Sequence, residues 1–253
     1  MSDETERFLR SLPEVAPGEK FCFACHPEVR CFNACCGDLN LVLTPYDVLR
    51  LRRALGMGGR DFVERYGIVG QAPDTGFPVV HLKMGEDVNR SCPFVSAAGC
   101  TVYGDRPGAC RTYPIGRAAR MGEGGEPVEQ FFLVREPHCM GFEETREWTV
   151  ETWTKDQGLE EYNANNDRYM RLMARQKERG GGLNQNHVNM AWLALYQVDA
   201  FQQFVRDMGL FARVSVSREQ EEQVLSDEEA CLEFGLDWVE LIVFGDNANL
   251  SPK

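Results

Sequence analysis

Ten cysteines in a sequence of 253 residues are the side chains best suited to chemistry, and nine of them lie within the first 140 residues. Thiolate sulfur binds zinc and iron–sulfur clusters. Cytosolic thiols stay reduced, so we interpret these nine as metal ligands rather than as disulfide partners. The candidate ligands are Cys22, Cys25, Cys31, Cys35, Cys36, Cys92, Cys100, Cys110 and Cys139.

The first group of cysteines reads Cys22-x2-Cys25-x5-Cys31-x3-Cys35-Cys36 and supplies five thiols within 15 residues. A C-x2-C pair places two sulfurs on one side of a tight turn, where both reach one ion at ~2.3 Å. The neighbouring side chains of Cys35 and Cys36 diverge, which suits two metal atoms or two separate sites.

The second group begins with Cys-Pro-Phe at Cys92. It continues from Gly99 to Pro114 as Gly-Cys-Thr-Val-Tyr-Gly-Asp-Arg-Pro-Gly-Ala-Cys-Arg-Thr-Tyr-Pro. Prolines beside ligating cysteines stiffen a loop, as in ferredoxin ligand runs that end in Cys-Pro. The third group is Cys139, preceded by His138.

These motifs resemble the YkgJ-like cysteine-cluster family of zinc- or iron-chelating domains. Its signature is C-x2-C-x2-C-C, then Cys-Pro-Phe/Leu, then Gly-x-Cys-x-Val/Ile-Tyr-x-x-Arg-Pro-x-x-Cys-Arg-x-Phe/Tyr-Pro. The second half of the signature matches almost letter for letter from Cys92 to Pro114, and the terminal cysteine of the family matches Cys139. The resemblance covers residues 20 to 142.

The first half of the signature differs in its spacing. Five residues separate Cys25 from Cys31, and three separate Cys31 from Cys35. This longer spacing leaves open which of Cys22, Cys25 and Cys31 correspond to the first ligands of the family. It also leaves room for one extra ligand.

Nine thiols exceed the four that a tetrahedral zinc ion or a [4Fe–4S] cluster requires. The chain therefore holds either two sites or one site with spare cysteines. Zinc sites commonly pair two C-x2-C knuckles, whereas this chain has only Cys22 and Cys25 in that spacing. The other cysteines are spread over long loops, as is common around iron–sulfur clusters. We prefer an iron–sulfur cluster, with zinc as the alternative.

Several polar side chains accompany the ligand loops. Arg106 and Arg111 lie inside the family string, together with Tyr113, and we expect these three to surround the metal-bound thiolates and compensate their negative charge. Arg117 fits either this role or pairing with surface carboxylates.

Histidine provides an alternative type of ligand, and Cys231 stands apart from the thiol groups. We interpret His26, His81 and His138 as satisfied surface or core residues, with His138 as the best candidate for a mixed ligand because it precedes Cys139. Cys231 lies on an apolar helical stretch and is predicted to be a small buried hydrophobic residue.

The predicted fold class is α+β. A small, loop-rich metal domain is expected over residues 1–142, followed by an acidic helical region over 143–253 that packs on it. Strands are predicted at 39–43, 77–84 and 130–135, and helices at 46–55 behind Thr44-Pro45, 61–66, 143–179, 186–208 and, capped by Ser226, 227–244. A hairpin turn is predicted at 121–127, and a short helix or arm at 7–15.

The net charge of −12 is unevenly distributed. Residues 1–142 carry 16 Lys and Arg against 18 Asp and Glu, whereas residues 143–253 carry 11 against 21. Nucleic acid and anionic membranes repel such a chain, so neither is a predicted partner. The polar segment Met1 to Arg10 lacks the apolar core of a signal peptide, and no stretch approaches ~18 uninterrupted apolar residues. We expect a soluble cytoplasmic protein.

Three functions remain open. The preferred one is an iron–sulfur protein with a structural or electron-transfer role, and the alternative is a structural zinc module whose acidic helical tail docks a protein partner. Some cysteine-cluster relatives resemble flagellin lysine methylases that use S-adenosylmethionine, so the resemblance also implies methyl transfer. The sequence shows no phosphate loop, nucleotide fingerprint or catalytic triad, and catalysis has no independent support.

Overall fold

The computed structural model describes residues 12–121 and 127–253. Its elements are β1 (Phe21–Cys22), β2 (Val42–Leu43), α1 (Pro45–Ala54), α2 (Gly59–Tyr66), β3 (Gly67–Gln71), β4 (Pro78–Leu82), β5 (Val95–Ser96), β6 (Gly99–Cys100), α3 (Gly108–Thr112), β7 (Ile115–Met121), β8 (Pro127–Leu133), β9 (Glu147–Trp148), α4 (Val150–Asp156), α5 (Leu159–Arg179), α6 (Gln185–Tyr196), α7 (Val198–Asp207), α8 (Arg218–Ser226) and α9 (Glu228–Phe244). Small antiparallel sheets and a helical carboxyl-terminal region confirm the α+β class.

The chain forms two compact units. The first contains the residues up to Leu39 together with Met84–Asp167; we call it the thiol unit, because all nine candidate ligands belong to it. Asn40–Lys83 and Arg168–Lys253 form the second, which we call the helical unit. The domain boundary at residue 142 stays a prediction. The two units divide the chain differently, since residues 40–83 pack with the carboxyl-terminal helices.

Short strand pairs and a cluster of aromatic rings frame the thiol unit. β1 pairs antiparallel with β9, which sets Phe21 opposite Trp148, and β7 pairs antiparallel with β8. The Trp148 indole N–H donates to the Phe23 carbonyl at 2.8 Å, and Trp153 packs edge-on against both rings. All four aromatic side chains are buried. Their burial holds the amino-terminal segment against the later part of the unit.

The helical unit combines a three-stranded antiparallel sheet, in the order β2-β4-β3, with helices. α9 packs against α6, α7, α8 and α1. The predicted start of α1 is confirmed: the Asp47 amide donates to Thr44 Oγ1 at 3.2 Å, and the Thr44 amide donates to Asp47 Oδ2 at 2.9 Å. Cys231 is confirmed as a buried residue of α9, and burial raises the pKa of its thiol to about 12.

Two predicted helices are interrupted in the structure. The helix predicted over 143–179 is wrong in its first residues, and the remainder is α4 and α5, separated where Gly158 has a φ of +60°. The helix predicted over 186–208 is broken at Gln197 into α6 and α7. The cap of α9 is Asp227 rather than the predicted Ser226, since Asp227 Oδ1 accepts from the Ala230 amide at 2.8 Å.

The remaining elements match the sequence to different degrees. The predicted strands appear as β2, β4 and β8 with shorter or shifted bounds, whereas β3 and α8 have no predicted counterpart. The hairpin turn predicted at 121–127 and the arm predicted at 7–15 fall mainly on residues outside the described ranges. Among the residues described, no helix combines the length and apolar character needed to cross a membrane.

An ion-pair group between α1 and α9 makes a testable contribution to the helical unit. Glu228 accepts from the almost fully buried Arg52 and, at 2.8 Å, from Arg53 Nε. Burial alone raises the pKa of Glu228, but the two guanidinium groups outweigh it and hold the pKa below its usual value of 4.5. Replacing Glu228 by Gln should lower the free energy of unfolding at pH 7 by about 2 kcal/mol.

The lowered pKa of Glu228 also predicts how this stabilisation changes with pH. A depressed folded-state pKa means that the stabilisation is complete above the unfolded-state pKa and is lost as the pH falls through the folded-state pKa. Urea denaturation at neutral and acidic pH measures the difference, with Glu178→Gln, at an exposed position on α5, as the control. An equal loss of stability for Glu228→Gln at both pH values would contradict this account.

Candidate metal centre

The first cysteine loop is fixed by a turn just before Cys35. Asn33 has a left-handed φ of 69°, which Asn tolerates better than most residues, and Ala34–Cys36 form a 3-10 turn behind it. The Asn33 side-chain amide donates to the Ser96 carbonyl at 2.9 Å. This bond ties the turn that carries Cys35 and Cys36 to β5 in the second group.

The first and second groups also meet through their backbones. The Cys92 amide donates to the Cys36 carbonyl at 2.7 Å, and Gly37 forms an isolated antiparallel bridge with Ser91. A side chain at position 37 would place its Cβ 2.8 Å from the Asn89 carbonyl oxygen, so only glycine allows this approach. Residues that are 56 positions apart in the sequence therefore become direct neighbours.

The third group returns to the first. The Met140 amide donates to the Cys31 sulfur at 3.1 Å, and the Ala24 amide donates to the Gly141 carbonyl at 3.0 Å. The loop that follows Cys139 therefore contacts Ala24, which precedes Cys25, and Cys31, which follows it. Amide donors to sulfur stabilise a thiolate and are a common feature of metal–thiolate sites.

Gly141 is the closest backbone approach at this junction. A Cβ there would lie 2.6 Å from the Phe23 ring and 2.7 Å from the Ala24 carbonyl oxygen. Gly141→Ala should therefore lower the free energy of unfolding by about 2 kcal/mol through overpacking.

Thermal unfolding of the metal-loaded protein measures this effect. Gly104→Ala is the matched control, since a Cβ at Gly104 meets no atom within 4 Å. Equal stability of the two variants would contradict the close packing at Gly141.

The charges around Cys25 show which thiols surround it. Loss of solvent around the Cys25 sulfur is the main reason that the pKa of Cys25 is raised to about 11. The nearby Cys35, Cys31 and Cys139 contribute to this rise, whereas the positive charge of Arg106 opposes it. Gathering thiolates in one place is costly without a cation, and a bound metal removes that cost.

The adjacent pair Cys35 and Cys36 shares a hydrogen bond. This bond lowers the pKa of Cys35 to about 6 and raises the pKa of Cys36, which burial raises as well. The positive charge of His138 also favours the Cys35 thiolate. The thiolates near Cys36 are Cys92 and Cys110 in addition to Cys35.

Tyr113 points its hydroxyl toward the Cys139 sulfur. Burial and the proximity of Cys139 both raise the pKa of this tyrosine. Its buried oxygen lacks a regular hydrogen bond in the part of the chain that the structure describes. An unsatisfied buried hydroxyl is unfavourable, and a thiolate at Cys139 supplies the acceptor. The role of Tyr113 beside metal ligands stays a prediction.

Arg111 organises the second cysteine loop through its guanidinium. The side chain is buried, and it donates to the carbonyls of Arg106 at 3.0 Å, of Gln157 at 2.6 Å and of Gly104. It also lies over the Tyr162 ring, 4.6 Å from the ring centroid. These partners are backbone carbonyls rather than the thiolates expected from the sequence. Arg111 therefore positions the loop that carries Cys110.

Two further side chains are engaged elsewhere. Arg117 makes a bidentate ion pair with Asp167 at 2.8 and 2.7 Å and a bond to Glu129 at 2.7 Å, in line with pairing to carboxylates. His81 lies on β4 of the helical unit, where its Nδ1 and Asn40 Oδ1 are 3.0 Å apart.

Cys22 lies in a different environment from the other candidate ligands. It is opposite Glu147 in the β1–β9 pair, and Glu147 binds Lys20 in an exposed ion pair at 2.7 Å. Residues directly opposite in an antiparallel pair share one face, as do residues two apart in a strand. Cys22 therefore faces the ion pair, while Phe21 faces the aromatic core.

The thiols converge without closing around a single point. Within the described ranges, no group of three or more His, Cys, Asp or Glu side chains is placed to hold one metal ion. The backbone contacts nevertheless bring all three cysteine groups into one unit.

The family comparison agrees with this arrangement. Residues 24–140 match the CxxCxxCC family model, described as a putative zinc- or iron-chelating domain. This stretch is therefore similar to the CxxCxxCC family. It contains eight of the nine candidate ligands and begins after Cys22. No curated protein and no solved structure matches the chain.

The donor set of residues 24–140 fits zinc or iron. Its candidate ligands are thiols, which both metals accept. The Tyr113 hydroxyl lies beside Cys139, where it can donate to a thiolate. Metal chelation through this cysteine cluster is thus supported both by the family and by the structure of the loops.

Two functional features could not be found in the sequence, and a third has a single signal there. The close packing of Gly141 depends on its contact with Phe23, and the Gln157 carbonyl accepts from Arg111 only in the folded chain. The role of Arg111 as a loop anchor has one signal in the sequence, namely its place in the family string directly after Cys110.

Proposed function

We propose that the cysteines of residues 24–140 bind an iron–sulfur cluster. The cluster stabilises the fold, and its position also allows electron transfer. The observation that carries this proposal is the convergence of thiols from three segments of the thiol unit. Met140 and Cys31, Cys92 and Cys36, and Ala24 and Gly141 are joined by hydrogen bonds that cross between those segments.

The spacing of the thiols supports iron–sulfur over zinc. A single zinc ion needs four sulfurs at ~2.3 Å from one point. A polynuclear cluster adds its own sulfides, so it binds thiolates that stand farther apart. Eight thiols lie in the family segment, and none of them repeats the C-x2-C knuckle that zinc sites commonly pair. This spacing favours the larger cofactor.

The position of the thiols supports both roles. The bound group would link cysteines more than 100 residues apart in sequence, which makes it a determinant of folding. Cys25 and Cys35 are exposed, so a centre bound by them lies near the surface, where an electron can enter or leave.

Metal analysis of protein purified without oxygen tests the proposal. We expect iron and acid-labile sulfide in the protein, and an absorbance band near ~400 nm. Cys36→Ser should lose much of both, and Cys231→Ala, outside the thiol unit, should keep them. Stoichiometric zinc without iron would contradict iron–sulfur binding and favour a structural zinc module. A chain that binds neither metal would contradict both.

A further inference from the structure

We propose that β3 is a docking surface for a second copy of this chain. The two copies of β3 pair antiparallel about a two-fold axis, with Val69 opposite Val69, and join two β2-β4-β3 sheets into one continuous sheet. This inference goes beyond the proposed function and does not depend on it, because every residue that carries it belongs to the helical unit.

The position of β3 in its sheet leaves one side of the strand open. In the order β2-β4-β3, β3 is an edge strand, and among the described residues no strand pairs with its second side. Its sequence is Gly-Ile-Val-Gly-Gln, which lacks the charged residues and prolines that commonly protect an edge from further pairing. The strand is therefore able to accept another strand.

The register with β4 identifies the backbone groups that point outward from this edge. The Ala72 amide donates to the Phe77 carbonyl at 2.8 Å, directly after the last paired residues of β3 and β4. Because the backbone groups of an antiparallel strand alternate between its two sides, every second residue counted back from Ala72 bonds to β4. The amides and carbonyls of Val69 and Gln71 therefore point away from β4.

The edge also exposes apolar side chains. Ile68 is 56% exposed and Val69 is 53% exposed, and successive residues of a strand point to opposite faces of its sheet. Val69 borders a groove that Val63 and Trp192 also line. A valine placed opposite Val69 covers this groove, which removes apolar surface from water.

The strand is complementary to itself when two copies run antiparallel. With Val69 opposite Val69, outward-pointing residues meet outward-pointing residues, as the pairing geometry requires. Ile68 then lies opposite Gly70, and Gln71 lies opposite Gly67, so each of these larger side chains meets a glycine. The Val69 amides and carbonyls bond to each other, and each Gln71 amide donates to the Gly67 carbonyl of the other copy.

The charges beside the edge favour a copy of the same chain. Residues 60–83 carry three Lys and Arg and three Asp and Glu, so this segment lacks the acidic excess of the whole chain. Arg65 precedes β3 and Asp74 follows it; both side chains are exposed, and Asp74 also binds Lys177 at 2.6 Å. An antiparallel pair sets Arg65 of each copy toward Asp74 of the other, so opposite charges meet at both ends.

Sedimentation velocity of the full chain at increasing concentrations tests the pairing. The wild-type protein should form a dimer. Val69→Lys should raise the dimer dissociation constant at least about tenfold, because two like charges then meet at the two-fold axis. Val42→Lys is the matched control, since Val42 is 46% exposed on β2, the opposite edge of the same sheet, and this variant should dimerise like the wild type.

A mixture of charge variants tests the register. Val69→Lys mixed with Val69→Glu should recover dimers with one chain of each kind in native mass spectrometry, because opposite charges then lie across the axis. Failure of two folded variants to form the mixed dimer would overturn the register with Val69 opposite Val69.

Hydrogen exchange of the wild-type chain provides a test without variants. The Val69 and Gln71 amides should gain protection at the concentrations where the dimer forms. A monomeric wild-type chain, a dimer in which these amides stay unprotected, or a Val69→Lys dimer of wild-type affinity would overturn the proposal. None of these results alters the expected metal content, so each is distinct from failure of the proposed function.

Discussion

Removing the metal from the purified protein is expected to unfold the thiol unit. The strand pairs β1–β9 and β5–β6, which carry Cys22 and Cys100, are two residues long, and the cysteine loops are joined chiefly by single hydrogen bonds. Structural zinc sites contribute about 10–16 kcal/mol of apparent binding free energy, which is comparable to the whole stability of a domain, and a cluster bound by several thiolates is expected to act in the same direction. Without the metal, the raised pKa of about 11 keeps the Cys25 thiol protonated, so no thiolate–metal bond then holds its segment in place.

Hydrogen exchange before and after chelation measures this unfolding. The amides of Ala24, Cys92 and Met140 should lose protection, because the bonds they make join the cysteine segments. Amides in α9, which lies in the core of the helical unit, serve as the internal reference. Unchanged protection of the three amides in fully metal-free protein would show that the metal does not hold the loops.

The second large effect is expected at Arg111. Replacing it by Met leaves the carbonyls of Gly104, Arg106 and Gln157 without their donor inside the unit. Hydrogen bonds to a charged group contribute about 1.5–3 kcal/mol each, and unsatisfied carbonyls add a penalty, so we expect a loss of about 4 kcal/mol in stability. The metal content of this variant should also fall, because Arg111 positions the loop that carries Cys110.

Two further substitutions make this prediction specific. Arg111→Lys keeps the charge but presents a single ammonium instead of a planar fork, so it should recover less than half of the lost stability. Arg30→Met removes a guanidinium whose side chain is 78% exposed and should leave both stability and metal content unchanged. Full recovery by Arg111→Lys in chemical denaturation would contradict the role of the three carbonyls.

The spacing of the cysteines in the sequence identifies the chemistry of the site. It predicts less well how the cysteines are arranged in space. The string from Cys92 to Pro114 is a local motif, so residue types alone identify it. The approach of Cys92 to Cys36 depends instead on a backbone hydrogen bond between segments that are distant in the sequence. The position of Cys22 likewise depends on β9, which pairs with β1 from 125 residues away and has no apolar pattern of its own.

The fold shows the same contrast between local and distant causes. α1 is predictable because Thr44 and Pro45 define its start within a few residues. The break at Gln197 has no proline or glycine to signal it. There, the Asp199 carboxylate accepts from the Gly59 amide at the start of α2, at 3.3 and 3.2 Å. Such tertiary contacts override the continuous apolar period of the helix.

X-ray absorption at the metal edge of the loaded protein tests the central claim most directly. A cysteine-held centre predicts a first coordination shell of sulfur at about 2.3 Å in the wild-type chain. The shell should remain all sulfur in Cys22→Ser. A shell made of nitrogen and oxygen donors at about 2.0–2.2 Å would contradict thiolate ligation, and with it the account of how the three cysteine segments are held together.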